Sequence, residues 1–88
     1  MYKGKTESGF EFEVMDSAAN NMELIDALAD ADDGNPLAVS KALKILIGPA
    51  QRKELYKLHR NESGVVPADI IAKELLEILQ SMGEDGKN

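Results

Sequence analysis

The chain has no cysteine, no tryptophan, one histidine and only four other aromatic side chains, two tyrosines and two phenylalanines. Each shortage removes a class of function. Without cysteine there is neither a disulfide framework nor a thiolate metal site, and the composition suits a reducing compartment. The one histidine, His59, has no serine, second histidine or carboxylate at a spacing that would build a triad or a metal site with it. It is expected at the end of a helix on the domain surface. Catalysis would then need paired carboxylates in a pocket, and the acids fall in segments expected to be solvated turns. The expectation is a non-enzyme with no cofactor and no metal. Asp26, Asp30, Asp32 and Asp33 do not make a calcium loop, because Gly34 follows Asp32 by two residues and no glutamate closes the loop at the required distance.

Long apolar runs are missing too. No stretch approaches the ~20 residues that span a bilayer. The lysines of the N-terminal segment Met1 to Ser8 are not followed by the apolar core of a signal peptide. A cytoplasmic location without membrane contact is the expectation. Basic residues are in deficit, ten against sixteen acidic, for a formal charge of −6. That is the wrong sign for wrapping a phosphate backbone, so no nucleic acid is expected. Asp26, Asp30, Asp32 and Asp33 fall in mid-chain while Arg52, Lys53, Lys57 and Arg60 follow later. This reads as solvated helix surface, with an acidic face that docks on a basic partner as the second reading.

What is present organises around Asn35 to Ile47. Asn35 can cap the free amides of a first turn and Pro36 suits the first helical position. Gly48 and Pro49 stop the helix near Ile47. Val39, Leu43 and Leu46 form one stripe, flanked by Ala42 and Ile45 on one side and Ile47 on the other. Only Ser40, Lys41 and Lys44 keep a polar strip.

Upstream, Phe10 to Val14 alternates apolar and acidic residues, the pattern of a half-buried strand, and Tyr2 to Thr6 alternates with lysine. A three-residue loop Glu7-Ser8-Gly9 pairs Thr6 with Phe10, Lys5 with Glu11 and Lys3 with Glu13, which sets opposite charges across the strands. Met15 to Asn20 reads as a connector. Asn20 with Glu23 has capping-box spacing, and Met22, Ile25, Leu28 and Ala29 share a helical face. After Pro49 a further helix points Leu55, Leu58 and His59 inward. From Pro67 a last helix carries Ile71, Leu75, Ile78 and Met82 on one stripe, with exposed pairs Asp69–Lys73 and Lys73–Glu77.

The predicted architecture is mainly α (α+β): an N-terminal β-hairpin followed by about four helices around the central one. It forms a single domain over residues 1–82, with the hairpin at 2–14, helices at about 21–31, 36–47, 49–60 and 67–82, and a flexible tail at 83–88. A domain of this size buries only about 60% of its unfolded surface, so binding or self-association would add stability. Leu37, Ile45, Ile70 and Leu76 are apolar residues left over from these stripes and are the expected partner-binding side chains.

Five segments carry a resemblance: Gly9-Phe-Glu-Phe-Glu-Val14, Met22-Glu-Leu-Ile-Asp-Ala-Leu28, Gly34-Asn-Pro-Leu37, Lys44-Ile-Leu-Ile-Gly48 and Gly86-Lys-Asn88. Together they make the chain similar to the small tail assembly chaperones of long-tailed bacteriophages and prophages of Gram-positive bacteria. The likeness departs at the lysine-bearing N-terminal segment and at Ser17 to Asn21. It implies a protein without catalytic residues that binds the tape-measure protein and brings tail-tube subunits to it, and that is absent from the finished virion. It also implies a second, longer form made by ribosomal slippage. Gly86-Lys87-Asn88 permits the slippery codons GGA-AAA-AAC. A small acidic regulator or anti-repressor-like adaptor that binds another protein is the alternative.

Overall fold

The computed structural model describes residues 2–86. The alternating segment forms the expected hairpin, β1 (Tyr2–Lys5) antiparallel to β2 (Glu11–Val14). Lys5 lies opposite Glu11 and Lys3 opposite Glu13, with Lys3 Nζ 3.5 Å from Glu13 Oε1. The loop closes through Thr6 N–H to Phe10 O at 2.9 Å and Gly9 N–H to Thr6 O at 3.0 Å, with Gly9 at φ 95°. This register turns Phe10, Phe12 and Val14 inward, where all three are buried. Charge pairing and face pairing agree, which fixes the register against a one-residue slip.

The connector is ordered as a short 3-10 helix at Asp16–Asn20. It moves the next cap by one residue. Asn21, not Asn20, is the first residue in extended conformation, and its side chain accepts Glu23 N–H at 2.9 Å. Helix α1 (Met22–Asp32) follows, and it buries Leu24 and Ala27; of the expected face of Met22, Ile25, Leu28 and Ala29, Leu28 packs partly buried against the core and the other three are exposed. Both sets have helical spacing on this apolar segment.

Three helices are present where about four were expected. The segments predicted at 36–47 and 49–60 run together as α2 (Pro36–His59), because the single residue Gly48 joins them without a loop. The break inside α2 is at Gly48, with φ 84° and ψ 163°, a region that only glycine enters without strain. Asn35 caps the first arm by accepting Leu37 N–H at 3.1 Å. The second arm is tied back on the first: Arg52 Nη1 donates to Ser40 Oγ at 2.8 Å, Tyr56 Oη donates to the same oxygen at 3.2 Å, and the guanidinium stands over the Tyr56 ring. Ala42, Leu43, Leu46, Ile47 and Leu55 are buried. Leu58, expected inside, is exposed, because Leu55, Tyr56 and His59 define the inner side of this arm and Leu58 falls outside it.

Helix α3 (Ala68–Gly86) starts just after Pro67 and runs past its predicted end at 82. Of the predicted tail, Lys87 and Asn88 lie outside the described residues. Ile71, Leu75 and Ile78 are buried and Met82 is partly so, as the stripe required. The core therefore lies between the inner face of the hairpin and all three helices. Gln51 joins sheet to helix: its amide accepts Glu13 N–H and donates to Glu13 O, both at 2.8 Å.

Candidate functional site

Two features flank α3. The first is a polar cluster centred on Glu74. At about 100° per residue, Glu74, Glu77 and Ser81 share one flank of the helix, and each is engaged by the hairpin. Ser8 Oγ donates to Glu74 Oε1, Glu7 N–H donates to Glu77 Oε1 at 3.0 Å, and Tyr2 Oη lies 2.9 Å from Ser81 Oγ. Thr6 Oγ1 is 3.0 Å from Ser8 Oγ. From the second arm of α2, His59 Nε2 reaches Glu74 Oε1 at 2.7 Å. His59 thus lies on the inner side of its arm, as the helical pattern had it, and is not the surface histidine expected of a helix end, since its side chain is only 14% exposed and Glu74's only 3%. The expectation failed because the partner is on another helix, beyond the Asn61 turn, and sequence spacing does not report such a contact.

The cluster sets the charge of Glu74. Burial pushes its carboxyl up, but the hydrogen bonds from Ser8, His59 and Thr6 and the nearby His59 charge outweigh it and hold it below the ordinary glutamate value. Oε2 is buried with no partner among the described residues. Serine, glutamate and histidine meet here in the wrong order for nucleophilic catalysis. A relay needs the imidazole between hydroxyl and carboxylate, whereas here the carboxylate stands between the other two. Among the described residues no group of three or more histidine, cysteine or acidic side chains is placed to hold a metal ion. No helix of the described residues is long and apolar enough to cross a membrane.

The second feature is a groove of about 520 Å³ on the other flank of α3. The end of α1 and the turn after it (Ala31, Gly34, Asn35), the first turns of α2 (Pro36, Val39, Ser40), Tyr56 and the start of α3 (Ala68, Ile71, Ala72) wall it, with Val66 and Asp69 at one end. The size falls within the ~300–1,000 Å³ of pockets that take ligands. It exists because small residues, Ala31, Ala68 and Ala72, stand where three helices converge, and Gly34 adds no side chain.

The four residues predicted to bind a partner do not converge. Leu37 is 80% exposed on the outer strip of α2 that also carries Lys41 and Lys44. Ile45 is partly buried against the core and lines a different depression, with Met15, Ala18 and Gly48. Ile70, 38% exposed, precedes Glu74 by one turn on the hairpin flank. Leu76, 54% exposed, follows Ala68 and Ala72 at intervals of four and so extends the groove's wall along α3. The groove itself was missed, since it comes from residues too small to mark a stripe. No protein-family model, curated protein or solved structure matches the chain.

Proposed function

We propose that this protein is a tail assembly chaperone that acts in the cytoplasm of a bacterial host. It binds a helical, apolar-rich segment of the tape-measure protein and helps recruit tail-tube subunits while the tail is built. The observation that carries the reading is apolar surface left open beside a filled core: a groove lined by Val39, Ile71 and Ala72, whose α3 wall the exposed Leu76 continues. Laying an amphipathic helix on such residues shields its apolar stripe. A long apolar-rich protein would stay soluble that way until the tube covers it. The resemblance of the five segments supplies the identity of the partners.

Co-expression with a long helical tape-measure protein, expected to be encoded beside this gene, tests the reading. The soluble fraction of that protein is expected to rise when this chain is present; equal solubility with and without it would refute the proposal. At the coding level, an A-rich heptamer over Gly86-Lys87-Asn88 and an open −1 frame beyond it are expected. AAG at Lys87 would remove that support.

The second reading, an acidic adaptor that regulates another protein, draws on one observation. Residues 15–40 hold six acidic side chains and no basic one, which accounts for the whole formal charge of −6. Gene order separates the two readings, because an adaptor has no reason to sit beside a tape-measure gene.

A further inference from the structure

The charge asymmetry and the groove fall in the same place. Ala31, Gly34 and Asn35 line the groove, and they belong to the last turn of α1 and its exit. That turn also carries Asp30, Asp32 and Asp33, all exposed. Asp69, in the first turn of α3, is the charged residue in the lining itself. The last turn of α1 has no basic residue to balance its carbonyl end, so the helix dipole adds to the same sign. Arg52, on the second arm of α2, does not line the groove and is already engaged by Ser40 and the Tyr56 ring. Lys41 and Lys44 occupy the outer strip of α2 and do not line the groove. The result is an apolar trough with one carboxylate in its lining and three more exposed on the turn that supplies its α1 wall.

We infer that this groove is the seat of a basic amphipathic helix, a partner segment that inserts apolar side chains between Val39, Tyr56, Ile71 and Ala72 and sets flanking lysines or arginines against Asp30, Asp32, Asp33 and Asp69. No strand edge is among the residues lining the groove, so an occupant has no main-chain ladder to join. Side chains must carry recognition, which is the helix-in-groove mode. Leu76 continues the wall by one turn of α3 and lengthens the track for such a helix. Anionic membranes and nucleic acids are repelled by the same carboxylates. The inference rests on the proposal that the protein binds a helical segment, and adds the seat and the charge of that segment.

The test uses the full chain and two synthetic amphipathic helices with the same leucine stripe, one flanked by lysines and the other by glutamates. Fluorescence anisotropy at low salt is expected to show the lysine peptide binding about tenfold tighter, with the advantage shrinking as salt rises. Ala72→Trp, an exposed position in the groove wall, is expected to abolish binding of the lysine peptide while leaving the thermal melt in place. The triple change of Asp30, Asp32 and Asp33 to asparagine is expected to cut the lysine preference and spare the groove. Equal affinity for both peptides, or unchanged binding by a folded Ala72→Trp protein, overturns the inference. If the wild-type chain solubilises the tape-measure partner and Ala72→Trp does so equally well, the chaperone reading stands and the groove assignment falls. If the lysine peptide binds in the groove and the partner gains no solubility, the groove assignment stands and the chaperone reading falls.

Discussion

Along one flank of α3, Glu74, Glu77 and Ser81 each meet a hydrogen-bonding group of the hairpin or its loop, while along the opposite flank Ala68, Ala72 and Leu76 border an open groove. One helix thus carries a closed seam and an open one. The closed seam is built from directional contacts that fit one arrangement of hairpin and helix, and it encloses a carboxylate that tolerates no substitute partner cheaply. The open seam is built from alanines and a leucine, which ask nothing of a neighbour except apolar surface. The first specifies the fold; the second leaves it able to accept something else.

The largest effect breaks both seams at once. Leu43, on the first arm of α2, is fully buried in the core shared by the hairpin and the three helices, and Leu43→Ala is expected to cost about 2–5 kcal/mol. For a domain this small that approaches global unfolding. A thermal or urea melt no different from the parent would refute the packing described here.

Breaking only the closed seam comes next. Glu74→Ala removes the acceptor shared by Ser8 and His59 and is expected to cost about 1–3 kcal/mol, as a buried donor left unsatisfied does. Amide exchange should rise first in the Thr6 to Phe10 loop. Uniform loss of protection across the chain would show that the cluster does not hold the hairpin specifically.

Acid should reproduce part of that loss. The carboxyl of Glu74 titrates lower in the folded chain than in the unfolded one, so across the interval between those values the unfolded chain binds more protons. Its contribution is complete above the ordinary glutamate value and is lost as pH falls through the depressed one. Glu74→Gln should flatten the stability profile in that acid window, and an identical profile would remove the cluster's electrostatic role.

The smallest effect is expected on the open seam. Leu76→Ser should change stability by no more than about 0.5 kcal/mol, as exposed sites do, while weakening the lysine peptide. A larger loss of stability would mean that Leu76 belongs to the core and the two seams are not different in kind.

These differences also mark what could be read from the chain. Lys3, Lys5, Glu11 and Glu13 set the hairpin register because charge and apolar alternation are local and agree. Asn35, Pro36 and Gly48 delimit the first arm of α2 for the same reason, since caps and breakers act within a turn of themselves. The rotation of α1 was only partly readable: Met22–Ile25–Leu28–Ala29 and Leu24–Ala27–Leu28 both have helical spacing, and Leu28 is the residue of the first set that packs on the core. The pairing of His59 with Glu74 spans two helices and the turn at Asn61, and nothing in residue spacing encodes such a meeting. The groove is a property of three helix ends, marked in the sequence only by small residues.

The amide of Gln51 has a consequence for how copies of this chain can meet. Glu13 sits opposite Lys3 at a position where its N–H and C=O point away from β1, and Gln51 engages both groups as a neighbouring strand would. A side chain thus stands in for one residue of a missing third strand. Exposed strand edges are the usual route by which small sheets template one another. At the midpoint of β2 that route is plugged from within the molecule, so any foreign strand must first evict Gln51, which is also held by Ile47 O at 2.7 Å. A pairing strand is thereby disfavoured at Glu13, where the β2 edge is already satisfied.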